Sequence, residues 1–121
     1  MLSLEEVLSN FKMYAKYKDR ENVAVNSRSE NGETPLHWMA TLGNHQAIKI
    51  LMDSGAEINE QDVDGLTPMH AAVLSRQLTA VIELRILGAD PSIKDNQGRS
   101  ALDLAMTNGY IPVMKYLSNP D

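Results

Sequence analysis

The chain has 121 residues, a formal net charge of −5, three histidines and no cysteine. That length allows one domain, burying roughly two thirds of the surface its unfolded form exposes, and the absence of cysteine excludes a disulfide framework, a thiolate metal site and a thiol nucleophile. Residues 1–29 hold five Lys/Arg against four Asp/Glu, and residues 30–121 six against twelve, a balance that repels a phosphate backbone and attracts a basic partner.

The first residues, Met1-Leu2-Ser3-Leu4-Glu5-Glu6, are acidic and show no charged leader followed by an apolar stretch, and no apolar run reaches membrane-spanning length. The expectation is a soluble, unprocessed, cytoplasmic protein. Ser3 and Glu6 have the spacing of a helix capping box. Leu4, Val7, Leu8 and Phe11 then share one helical face, and Tyr14, Ala15 and Tyr17 carry the pattern on to Asn22. Residues 2–30 read as a degenerate first repeat that caps the chain, built from one helix or two.

The next unit, residues 31–63, is the most regular. Thr34 is placed to cap a helix whose first residue, Pro35, needs no hydrogen-bond partner for its nitrogen. Leu36, Met39 and Ala40 fall on one side of it, and Gly43 ends it in a left-handed conformation. Ala47, Ile48, Leu51 and Met52 form the stripe of a second helix, stopped at Gly55. An extended excursion through Ile58-Asn59 leads to a turn at Asp64-Gly65.

Residues 64–96 repeat the plan with departures. Arg76 stands where Gly43 stood, and Val81-Ile82-Glu83-Leu84 aligns with the preceding stripe when shifted by one residue, which suggests a compensated insertion and deletion. On that reading Glu83 and Arg85 are solvated, and the alternative makes Arg76, Glu83 and Arg85 a polar feature for a partner. Residues 97–121 supply a C-terminal capping repeat: Pro112 suits a first helical turn, Val113, Met114, Tyr116 and Leu117 face inward, and Asn119-Pro120 ends the helix. Both terminal repeats are expected to turn polar faces outward, as befits a complete array.

Gly32, Gly65 and Gly98 lie 33 residues apart and open Gly-Glu-Thr-Pro-Leu-His, Gly-Leu-Thr-Pro-Met-His and Gly-Arg-Ser-Ala-Leu-Asp. Asn22-Val23-Ala24-Val25-Asn26, Gly55-Ala56-Glu57-Ile58-Asn59 and Gly88-Ala89-Asp90-Pro91-Ser92 keep the same interval. A helix, turn, helix and β-turn at this period, with Thr-Pro-Leu-His opening the first helix, resembles the ankyrin-repeat family over residues 22–118. The fold class implied is an all-α solenoid of helix-turn-helix units, forming a single domain over residues 1–121.

The resemblance also implies that His37 and His70 tie neighbouring turns together, a ladder that Asp103 breaks in the third repeat. His45 reads as a helix-start residue. No Gly-x-Ser-x-Gly elbow, phosphate loop or His-Glu-x-x-His spacing occurs. Glu57, Glu60, Asp62 and Asp64 lack calcium-loop spacing and read as a solvated acidic edge. Met39, Met52, Met69 and Met114 read as core filler. No catalytic residue, cofactor or metal site is expected. An enzyme reading would have to assemble its site from His37, His70 and Asp103 or from the acidic edge.

Members of the family that this chain resembles meet partners on a concave surface of β-turn tips and first-helix ends. Carried over by position, the tips are Glu30, Asn31 and Glu33, then Val63, Asp64 and Leu66, then Asn96, Gln97 and Arg99. The helix ends are Thr41 with Leu42, Leu74 with Ser75, and Thr107 with Asn108. Val63, Leu66, Leu42 and Leu74 would give an apolar centre, with acidic residues on one side and amides on the other; the competing arrangement tucks Leu42 and Leu74 between repeats. Trp38 is either core or a binding anchor. The function expected is a monomeric, non-catalytic protein-binding module that takes a protein with a basic or mixed surface, and neither nucleic acid nor membrane. An inhibitor or immunity-type protein is the preferred role, and a scaffold or adaptor the alternative.

Overall fold

The computed structural model describes residues 2–14 and 24–118. Seven helices occur among them: α1 (Leu4–Tyr14), α2 (Pro35–Leu42), α3 (His45–Asp53), α4 (Pro68–Leu74), α5 (Leu78–Ile86), α6 (Ala101–Thr107) and α7 (Ile111–Ser118). Packing runs along two layers. α2, α4 and α6 stack in one, α3, α5 and α7 in the other, each pair closed by a short turn, while α1 lies against both α2 and α3. The Asn119-Pro120 stop and the continuation from Ala15 to Asn22 lie outside the described residues.

Local chemistry decides where each helix begins. Thr34, Thr67 and Ser100 hold extended backbone and accept from the N–H three residues on, that of His37, His70 and Asp103 respectively. In α1 the Glu6 N–H reaches the Ser3 hydroxyl at 3.2 Å. The turn that closes each first helix needs a left-handed residue, and Gly43, Arg76 and Gly109 fill that place with φ of 65°, 55° and 62°. Arginine there carries the steric cost of its Cβ, about 1–2 kcal/mol.

The core runs unbroken between the layers. Leu36, Met39, Ile48, Leu51, Met69, Val73, Val81, Leu84 and Leu104 are each 1% exposed or less, and Val7 and Phe11 of α1 close one end. Two expectations about the middle repeat are corrected. The buried sets of α3 and α5 are Ala47, Ile48, Leu51 and Ala80, Val81, Leu84, a full period apart, so no insertion or deletion interrupts the repeat. The apparent shift arose because Ile82, half-buried on the other side of α5, continues the apolar run begun by Val81.

Nor are Glu83 and Arg85 simply solvated. Glu83 is nearly buried and pairs with His45 of the preceding repeat, so His45 does more than start a helix. The Arg85 guanidinium lies 5.4 Å from the Tyr116 ring centroid and that of Arg76 5.0 Å from Tyr110. Arg76 Nη2 also donates to the Asn108 carbonyl at 2.9 Å, and the Tyr110 hydroxyl donates to the Arg76 carbonyl at 2.8 Å. All three residues bind repeats together. Arg76→Ala, which keeps the strained backbone and loses the contacts, should cost about 1 kcal/mol. In Arg76→Gly the relief of strain offsets that loss, and urea denaturation should place it within about 0.5 kcal/mol of the parent.

Candidate functional site

The turn between repeats is built the same way three times. Ser29, Asp62 and Asp95 each pair their N–H with the carbonyl four residues on, that of Glu33, Leu66 and Arg99, at 2.8–2.9 Å, and their carbonyls accept from Gly32, Gly65 and Gly98 at 2.9–3.0 Å. Their side chains fill the inside of the loop: Asp62 Oδ1 accepts from the N–H groups of Asp64 and Leu66, and Asp95 Oδ1 from those of Gln97 and Arg99, all at 2.9 Å. Asp62 is thus a turn-former rather than part of a solvated edge. Burial works to raise the Asp95 pKa, but these N–H donors and the Arg99 guanidinium outweigh it and hold the carboxyl below its ordinary value.

Successive tips are joined in turn. The Val63 N–H donates to the Asn31 carbonyl and the Asn96 N–H to that of Asp64, both at 3.0 Å, while Asn96 Nδ2 donates to the Val63 carbonyl at 2.8 Å. Gly65 is buried in this contact: a Cβ there would lie 2.6 Å from the Asn96 nitrogen, whereas one on Gly98 would meet nothing within 4 Å.

Behind the tips, His37 and His70 lock one repeat to the next. His37 Nδ1 accepts from the Thr34 N–H at 3.1 Å and Nε2 reaches the Leu66 carbonyl at 2.7 Å; His70 makes the same pair of contacts with Thr67 and, at 2.9 Å, the Arg99 carbonyl. A carbonyl only accepts and Nδ1 is itself accepting, so these contacts call for a proton on Nε2. Asp103 reproduces the local half alone, with Oδ2 accepting from the Ser100 N–H at 2.9 Å.

Burial lowers the His37 pKa from its ordinary 6.5, against a smaller opposing effect of the Leu66 carbonyl. The folded state therefore binds this proton more weakly than the unfolded state does. The stability contributed by neutral His37 is fully present above the unfolded value and falls as pH drops through it toward the lower folded value. Urea midpoints measured from pH 7.5 down to 5.5 should decline, and His37→Gln should flatten part of that decline.

The strip presented by tips and helix ends contains the candidate residues in three settings. Glu30, Asn31, Asp64, Asn96, Gln97, Thr107 and Asn108 are exposed, as are Leu42 (49%), Val63 (57%) and Leu74 (46%). Glu33, Trp38, Thr41, Leu66, Ser75 and Arg99 are half-buried. Leu42 and Leu74 thus do not tuck fully between repeats. Leu66 does pack against the core, as does Trp38, so the exposed apolar centre is Leu42, Val63 and Leu74. The hydroxyls of Thr41 and Thr107 turn back to the carbonyls of His37 and Asp103, at 3.0 and 2.9 Å.

Charge on the strip is one-sided. Arg28 pairs with Glu60, Arg99 Nε holds Asp95 Oδ2 at 2.9 Å, and Arg76 lies over Tyr110. Glu30 and Asp64 enter no ion pair among the described residues. Burial, with Asp62 and Asp64 nearby, raises the Glu33 pKa against the hydrogen bonds of Asn31 and Ser29. Among the described residues no group of three or more His, Asp or Glu side chains is arranged to hold a metal ion, and no helix is long and apolar enough to cross a membrane. The role of Asp62 and Asp95 was readable from their equal distance before Gly65 and Gly98; the pairing of His45 with Glu83 across two helices left no such signal.

Stacked helix pairs joined by hydrogen-bonded tips define a helical repeat solenoid. The profile described as "Ankyrin repeats (3 copies)" matches residues 7–95, and the chain belongs to the ankyrin-repeat family. It is 37% identical over 81 residues to Rabankyrin-5 of Mus musculus, covering 65% of this chain and 7% of that protein. An ankyrin repeat-containing protein of Schizosaccharomyces pombe is 34% identical over 96 residues, 78% of this chain and 45% of its own length. BCL-6 corepressor-like protein 1 of Homo sapiens is 34% identical over 96 residues, 79% of this chain and 5% of its own length. The chain therefore spans less than half of each of these relatives. Ankyrin repeats generally mediate protein–protein interaction, and the family is typically non-catalytic.

Proposed function

We propose that the chain captures a partner protein on the concave strip, with Leu42, Val63 and Leu74 as the apolar centre and Glu30, Glu33 and Asp64 drawing a basic or mixed surface onto it. The observation that carries this reading is the one-sided charge: the arginines bordering the strip are each engaged by a partner within the chain, while Glu30 and Asp64 are exposed and enter no ion pair among the described residues. An apolar patch with a polar rim is the usual form of a protein interface. Asn96, Gln97, Thr107 and Asn108 form the amide and hydroxyl end of the rim.

The role proposed is that of an inhibitor or immunity-type protein, which covers the working surface of its partner. The scaffold reading is favoured by the greater length of the relatives, in which repeats accompany much further sequence. A photo-crosslinking residue placed at Val63 in the native host, followed by mass spectrometry, identifies what sits on the strip. A basic partner whose capture is lost in Val63→Arg/Asp64→Lys supports the site, and retention of capture in that folded variant moves it elsewhere. Loss of the purified partner's activity on stoichiometric addition supports an inhibitor, and full activity in the complex supports a scaffold.

A further inference from the structure

The outer layer carries a second surface. Rows of equivalent positions cross α3, α5 and α7 at the 33-residue period; in one of these rows α5 differs in kind from both neighbours, and in the next it differs from α3. Lys49 of α3 and Lys115 of α7 are exposed, and between them the corresponding residue of α5 is Ile82. One turn further along, Asp53 of α3 is exposed, and its counterpart in α5 is Ile86, which is 76% exposed. Leu87, 37% exposed, follows where α3 is followed by Ser54.

α5 is therefore apolar on both sides. Ala80, Val81 and Leu84 fill the core, while Ile82, Ile86 and Leu87 face away from it, flanked on the first row by an ammonium group on each side. The core does not require this second set, because α3 folds into the same place with Lys49 and Asp53 there. An isoleucine left 76% exposed where the adjacent helix carries a charge marks a surface that meets something else.

We propose that the outer face of α5 docks an amphipathic helical segment of another protein, seating its apolar stripe on Ile82, Ile86 and Leu87 and pairing carboxylates on its two flanks with Lys49 and Lys115. On the Ile82 row the charge selects the occupant: a stripe bordered there by lysines would repel these two groups, whereas one bordered by Asp or Glu meets a cation on either side, and Asp53 beside Ile86 calls for a neutral or basic residue at that end. This site is independent of the concave strip. It has the opposite charge preference, so the two faces would take different partners.

The test uses the full chain and two synthetic amphipathic peptides, one with a leucine stripe flanked by glutamates and a twin with lysines in their place. The glutamate peptide should bind saturably and shift the backbone amide resonances of Lys49, Ile82, Ile86, Leu87 and Lys115, and the lysine twin should leave them unmoved. Ile82→Lys/Ile86→Asp gives α5 the residues that α3 already carries, so the variant keeps the fold; it should weaken binding of the glutamate peptide at least tenfold. Lys49→Glu/Lys115→Glu should exchange the preference between the two peptides. Equal binding of both peptides, shifts confined to other faces, or full binding by the isoleucine variant overturns the proposal. So does a concentration-dependent dimer in sedimentation that the isoleucine variant abolishes, because the occupant would then be a second copy of the chain.

Discussion

Replacing Gly65 with alanine is expected to lower the unfolding free energy by about 3 kcal/mol, and the same change at Gly98 by about 1 kcal/mol. Both glycines have positive φ, 81° and 78°, so an added Cβ meets the same intrinsic backbone penalty at each. Only at Gly65 does it also run into the neighbouring tip, 2.6 Å from the Asn96 nitrogen. Relieving that overlap would separate the tips and weaken the bond from the Asn96 N–H to the Asp64 carbonyl. Urea denaturation of the two variants isolates the packing contribution, since the conformational one is shared. Equal losses would show that the tips yield without cost.

His37→Ala is the second large effect, with an expected loss of about 3 kcal/mol. The substitution removes the acceptor of the buried Thr34 N–H and one of the two donors to the Leu66 carbonyl, which keeps the Asp62 N–H, so the Thr34 N–H is left unpaired and the side-chain link to the next repeat is lost. Asp103→Ala, at the equivalent position of α6, should cost much less, because Asp103 is exposed and bonds only within its own turn. Thermal or urea unfolding of both variants checks the order. A loss at His37 no larger than that at Asp103 would show that the imidazole acts as a local cap and contributes little between repeats.

The plan of the fold was legible because its determinants are local and recur. Thr34 with Pro35 and His37, Thr67 with Pro68 and His70, and Gly43 and Gly55 each act within a few residues of themselves, and a fixed interval repeats them. Arg76 was readable as the stand-in for a left-handed glycine, but not as a residue bound to Tyr110, because that contact spans a repeat. The pairing of Glu83 with His45 was hidden for the same reason. The register of α5 was misread through a different cause: Ile82 and Ile86 give the helix a second apolar side, and periodicity cannot choose a face when both qualify. On the strip of tips and helix ends, position named the residues and left their exposure open. Leu66 shares its place in the repeat with Glu33 and Arg99, and packing against the core, rather than its place in the repeat, decides how much of Leu66 meets solvent.

The hydrogen bonds that join tip to tip also fix the kinetics open to any ligand of the strip. Tips tied to their neighbours need little reordering on contact, so association should proceed without a slow conformational step and be governed by diffusion and charge. For the basic partner proposed above, added salt should then slow arrival by screening Glu30 and Asp64, while the residence time would be set by how well that partner fills the space around Leu42, Val63 and Leu74.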